Sequence, residues 1–153
     1  MPNNAVSESD DLSLTVTCLV RASVEECFTA WTEPEQLKAW WGPAGVTCSD
    51  AEVDLHVPGG YRIGNLLSSG RILWITGRFV SIIPPHALSY TWKIDDAASE
   101  SLVNVSFEAK GGLTEVTVTH SQNASIAMRD SHQGGWHGCL KGFETHMQKQ
   151  QRP

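Results

Sequence analysis

The chain has 153 residues, 41% of them hydrophobic and 18% charged, which suits one domain with a core of ordinary size. Its formal net charge of −6, from 11 basic and 17 acidic residues, is not offset by any Lys/Arg cluster. That balance argues against a nucleic-acid partner or an anionic membrane surface, and no run approaches the ~20 apolar residues of a membrane span.

Residues 1–10 are polar and acidic, with no apolar run behind a basic start, so they read as a disordered tail rather than a signal peptide. A cytoplasmic domain over 11–149 is expected, with 150–153 as a second tail. Leu12, Leu14, Val16, Cys18 and Val20 then alternate with Ser13, Thr15, Thr17 and Leu19, which is strand period. Ser23 and Glu26 have the spacing of a capping box. Val24, Cys27, Phe28 and Trp31 follow on one helical face. Thr32 and Glu35 suggest a second capping box, with Pro34 in the first turn of a short helix that Gly42-Pro43 ends. Leu37, Trp40 and Trp41 crowd that helix. It is too short to bury two indoles against itself, so a concave surface must lie beneath it. Adjacent helical residues point ~100° apart, so one of Trp40 and Trp41 should face inward and the other pack under the second strand.

From Val46 to Ser121 the pattern changes to strands and turns, with strands expected near 46–55, 60–67, 71–83, 87–95, 101–109 and 113–120. Each has one apolar and one polar face, as in an antiparallel sheet covered on one side. The cover is a helix over Ser125–Lys149, on the order of 35 Å long at ~1.5 Å per residue. His132, Trp136, Cys139, Leu140, Phe143 and Met147 form its inward stripe, which Arg129 extends. The fold class is therefore α+β. A curved antiparallel sheet of about seven strands wraps one long C-terminal helix, in the helix-grip arrangement, and two short helices after the first strand close one end.

The motifs behind this order resemble a known family. Ala22 through Pro43 is similar to A-P-x-E-x-V-F-x-A-W-T-x-P-E-x-L-x-x-W-W-G-P, and Asp54 through Ile63 to D-L-R-V-G-G-x-Y-R-I. Gly77–Pro85, Leu88–Trp92, Ser101–Glu108, Val116–Ser121 and Arg129–Trp136 continue the likeness in order. The family is that of bacterial proteins named after the activator of heat-shock-protein-90 ATPase, in the START-like (SRPBCC) superfamily. Cys18, Ser23, His56 and Pro58 depart from its pattern, and Ser23 is a good N-cap. The resemblance implies the helix-grip fold. Through the family's name it also implies a regulatory module for a chaperone ATPase as one alternative.

An apolar cavity between sheet and helix is the expected site. Its candidate aromatic lining is Trp31, Trp40, Trp41, Tyr61, Tyr90, Trp92, Phe107, Trp136 and Phe143, with Val118, Cys139 and Leu140 between them. His120, Arg129 and His132 are candidate polar anchors at its mouth. No catalytic residue is assigned; His120 and His132 are the candidates for proton transfer in a second alternative, a cyclase/aromatase-like enzyme. Cys18, Cys27, Cys48 and Cys139 are scattered without a C-x-x-C pair and read as buried thiols. No metal or other cofactor is expected. The leading expectation is a protein that binds a small hydrophobic or aromatic molecule. A Gly134, Gly138, Gly142 row on the helix face away from the cavity would suit a homodimer.

Overall fold

Alternating apolar and polar side chains build one sheet, and a helical stripe builds its cover. The computed structural model describes residues 12–42, 45–95 and 99–150. Strand β1 (Leu14–Val20) leads into helices α1 (Val24–Thr32) and α2 (Pro34–Trp40). Strands β2 (Thr47–Val53), β3 (Gly60–Leu66), β4 (Ile72–Ile83), β5 (Ala87–Ile94), β6 (Ser101–Lys110) and β7 (Leu113–Ser121) follow, and α3 (Ile126–Gln150) ends the fold. The seven strands form one curled antiparallel sheet in the order β1-β7-β6-β5-β4-β3-β2. The expected tails lie outside the described residues, except that α3 runs through Gln150, whose Nε2 donates to Gln36 Oε1 at 2.9 Å.

The strand period places the core. Leu14, Val16, Cys18 and Val20 are buried while Thr15, Thr17 and Leu19 face outward. Register then stacks apolar layers: Val16 lies beside Val118, and Val118 beside Val105. The next layer is Leu14, His120 and Val103, so an imidazole stands between two aliphatic neighbours. Along α3 the buried residues are Trp136, Cys139, Leu140, Phe143 and Met147, while His132 and Arg129 at the start of the expected stripe are half-buried. Each large side chain so buried contributes ~1.5–3 kcal/mol.

The two short helices start differently from each other. The α1 capping box is complete, with Ser23 N–H donating to Glu26 Oε1 at 2.9 Å and Glu26 N–H to Ser23 Oγ at 3.0 Å. The second expected capping box does not form. Glu33 occupies the N-cap position without a side-chain bond, and Thr32 Oγ1 donates back to Phe28 O at 2.8 Å inside α1. Ser125 caps α3, accepting Met128 N–H at 3.1 Å.

Trp40 is buried, and its indole is tied to the helices. It wedges between α1 and α3, with its ring 4.8 Å from Trp31 and 4.9 Å from Phe143. The cause is local. The carbonyl of Ala30 would bond the N–H four residues on, but that residue is Pro34, which has none. Trp40 Nε1 supplies the missing donor at 2.8 Å. Trp41 caps α2 in an extended conformation (φ −68°, ψ 141°) and leaves in another direction.

The glycine row of α3 is not a single free face. A Cβ on Gly142 would lie 2.6 Å from Trp40 O, so this glycine admits the end of α2, whereas Gly134 has nothing within 4 Å. Gly134→Ala should therefore stabilise the protein by about 0.5–1 kcal/mol through helix propensity. Gly142→Ala should lower its melting temperature, because the overlap costs about 1–3 kcal/mol and exceeds that gain. Thermal unfolding of the two variants checks both signs.

Candidate functional site

Where α3 carries small residues, the curved sheet and the helix part. Gly135 and Cys139 face a cavity of about 210 Å³ that Trp41, Trp92 and Trp136 wall on one side. Leu73 and Ile75 of β4, Ile94 of β5, Asn65 of β3 and Met128, Ser131 and His132 of α3 complete it. The three indoles touch one another: Trp41 is 5.4 Å from Trp136 and 6.0 Å from Trp92, and Trp92 is 5.4 Å from Trp136. Asn65 holds this wall by accepting Trp41 Nε1–H at 3.0 Å. A depression of about 50 Å³ shares Trp92, Ile94, Met128 and His132 and adds Glu100 and Asn123. A wider groove of about 380 Å³ between Arg21–Glu26 and Ala109–Thr114 is open to solvent and carries no aromatic side chain.

The polar end of the cavity is ordered by one asparagine. Asn123 is buried between β7 and α3, and its Nδ2 donates to Leu12 O at 2.8 Å and to His120 O at 3.0 Å. Both acceptors are carbonyls, so Oδ1 must be the atom that faces His132 Nδ1 at 2.6 Å. An amide oxygen only accepts, so His132 carries its proton on Nδ1. Its Nε2 is then a bare lone pair, buried and without a hydrogen-bond partner among the described residues. His120 holds the opposite tautomer. Trp136 Nε1–H can only donate, and it reaches His120 Nδ1 at 3.0 Å. His120 Nε2–H therefore donates to Ser101 Oγ at 2.6 Å. The two imidazoles stack at 4.3 Å with an 18° angle between their planes.

Electrostatics keep both rings neutral. Burial, and secondarily the adjacent His132, lowers the pKa of His120 to about 3. Burial also pulls that of His132 below the usual histidine value. Burial pushes the Cys139 thiol up to about 12, so it does not present a thiolate to the cavity. All four cysteines are free and buried. Among the described residues, no group of three His, Cys, Asp or Glu is placed to hold a metal ion. No helix among them is long and apolar enough to cross a membrane.

Apart from Arg129, the structure sorts the expected lining residues into three groups. Trp41, Trp92, His132, Trp136 and Cys139 meet at the 210 Å³ cavity. Trp31, Tyr61 and Tyr90 surround a second space of only about 20 Å³. There Trp31 Nε1 donates to the Tyr90 hydroxyl at 3.2 Å and Tyr61 donates to Thr91 O at 2.5 Å. Trp40, Phe107, Val118, His120, Leu140 and Phe143 are fully packed core. Arg129 is half-buried near the start of α3, where its Nη2 donates to Asp130 Oδ1 at 2.9 Å. Asn123 and Asn65 were not foreseen. Asn65 carried a signal, because it continues the inward Tyr61, Ile63 period of β3 with a polar residue.

The neutral histidines imply an acid-sensitive fold. Above about pH 6.5 folded and unfolded chains both hold neutral imidazole, so these groups add no pH dependence. As pH falls, the unfolded chain takes up protons that His120 and His132 resist, and stability declines toward about pH 3. Each proton accounts for at most ~1.4 kcal/mol per pH unit. Melting curves from about pH 8 to pH 4 should show this loss in the wild type and a shallower one in His120→Gln. Equal slopes would contradict the assignment.

Comparison with known proteins agrees with this architecture. The family profile described as Activator of Hsp90 ATPase homolog 1-like protein matches residues 21–148. The crystal structure of the AHSA1 protein from Silicibacter pomeroyi superposes with a TM-score of 0.82 at 20% identity, over 90% of this chain and 99% of that one. A protein from Chromobacterium violaceum gives 0.81 at 21% identity, over 88% and 96%. The solution structure of the AHSA1-like protein from Aeromonas hydrophila gives 0.71 at 21% identity, over 89% and 93%. At such identities the likeness is one of fold, and no curated protein sequence matches the chain. The profile spans most of the 153 residues, and the chain therefore belongs to the Activator of Hsp90 ATPase homolog 1-like family, within the START-like superfamily.

Proposed function

We propose that this protein binds a small, mainly apolar aromatic molecule between its sheet and its C-terminal helix, in the cytoplasm. The observation that carries this is the cavity of about 210 Å³ walled on one side by three mutually touching indoles. Concave, mostly apolar spaces with a few placed polar groups are the usual form of a small-molecule site. Four free thiols suit a reducing compartment. Size restricts the ligand. An apolar cavity on the order of 150 Å³ holds benzene. One of about 210 Å³ suits one or two rings rather than the four of a steroid or a large polyketide.

The cyclase-like alternative narrows to one residue. His120 spends both ring nitrogens on Trp136 and Ser101, and Arg129 is engaged by Asp130. Only His132, oriented by Asn123, keeps a free basic nitrogen, so a proton-transfer role would rest on it alone. The chaperone-regulating alternative rests on the family description.

Monocyclic and bicyclic aromatics should raise the melting temperature and change tryptophan fluorescence, since three of the six tryptophans line the cavity. Gly135 has nothing within 4 Å of its Cβ position, so Gly135→Leu should fill the space, keep the fold and abolish both responses. Ligand responses that survive in Gly135→Leu would place binding elsewhere.

A further inference from the structure

Two buried side-chain polar atoms lack a hydrogen-bond partner among the described residues: His132 Nε2 and Trp92 Nε1. Both side chains line the same cavity, and their rings meet edge to face at 5.6 Å. Buried polar groups in folded proteins are almost always paired, because leaving one unpaired costs more than a hydrogen bond contributes. Both atoms lie just beneath the cavity surface, and two unpaired atoms on adjacent rings of one wall point to an occupant.

Their chemistry is complementary rather than alike. An indole N–H only donates. His132 Nε2 only accepts, because Asn123 Oδ1 holds the ring proton on Nδ1. The occupant must accept from one neighbour and donate to the other, and a hydroxyl does both at a single oxygen. A carboxylate would set its lone pairs against that of His132, and burial disfavours the proton uptake that would relieve this. An ammonium group would leave the indole N–H unpaired, and an ether would leave the imidazole unpaired. The remaining lining is largely apolar, with Trp41, Trp136, Leu73 and Ile75 around a space of one or two rings.

We infer that the cavity selects a neutral phenol-type ligand, its ring among Trp41, Trp92 and Trp136, its hydroxyl accepting from Trp92 Nε1–H and donating to His132 Nε2. This rests on the proposed ligand-binding role and specifies its polar end. Hydrophobicity alone ranks toluene above p-cresol as a cavity ligand, because the cresol hydroxyl must leave water. Two hydrogen bonds reverse that order.

Titrating the wild-type protein with p-cresol, 4-methylanisole and toluene, followed by calorimetry and by the ¹⁵N shifts of the histidine rings, tests the inference. p-Cresol should bind about tenfold more tightly than either analogue and should move the resonance of the unprotonated ring nitrogen of His132. In Trp92→Phe, which keeps an aromatic wall but no donor, the preference should shrink. Toluene binding as well as p-cresol, with the His132 resonance unmoved, would overturn the inference and leave the ligand-binding proposal standing. No binding by any of the three would overturn both.

Discussion

One helix has to fill the concave face of seven strands, and most of the molecule follows from how it does so. A helix presents only one stripe to a curved sheet. Where the stripe of α3 carries Trp136, Leu140, Phe143 and Met147, these large side chains are buried and fill the interior. Where it carries Gly135 and Cys139, they do not, and the cavity remains. The far end is sealed by aromatic contacts from α1 and α2, with Trp31 against Trp40, Phe107 and Phe143. The cavity thus lies where the helix is thin, and its position is set by packing rather than by any loop.

The same geometry decides which polar groups stay available. A buried histidine must be neutral or paired, and here two stacked rings are kept neutral by burial and by neighbours of fixed hydrogen-bonding sense. Trp136 can only donate and the Asn123 oxygen can only accept, so the two histidines are driven into opposite tautomers. His120 ends with both nitrogens used and acts as a structural bridge between sheet and helix. His132 ends with one nitrogen unused beside an unused indole N–H. A buried, inert thiol at Cys139 adds shape to the cavity but no nucleophile. The family description speaks of a chaperone, yet a fold shared at 20–21% identity with structures such as those from Silicibacter pomeroyi and Chromobacterium violaceum hosts many roles. The chemistry of this wall is the more direct guide.

Much of the architecture is legible in the residues themselves. Period-two runs such as Leu14, Val16, Cys18 and Val20, and the stripe from Trp136 to Met147, mark strands, helix and inward faces, because burial repeats with the backbone period. The Ser23 capping box is equally local, since both of its bonds join residues three apart. Thr32 shows where local pattern misleads. Its hydroxyl had an alternative acceptor in Phe28 O, and the N-cap passed to Glu33. Trp40 is a longer-range case. The missing N–H of Pro34 drew its indole to Ala30 O in α1.

The chain order of apolar, polar, capping and breaking residues was enough to define the elements, the antiparallel sheet, the covering helix and the family, because each depends on neighbours a few residues away. It could not separate aromatic residues that line a space from those that fill one. Trp41 lines the cavity because its indole meets Asn65, 24 residues on, and Phe107 and Phe143 are core because helix and sheet close over them. Nor could it set the protonation of His132, which depends on Asn123 reaching back to Leu12 across 111 residues. These outcomes belong to the tertiary structure, because they turn on which donor meets which acceptor once sheet order and helix crossing bring distant segments together.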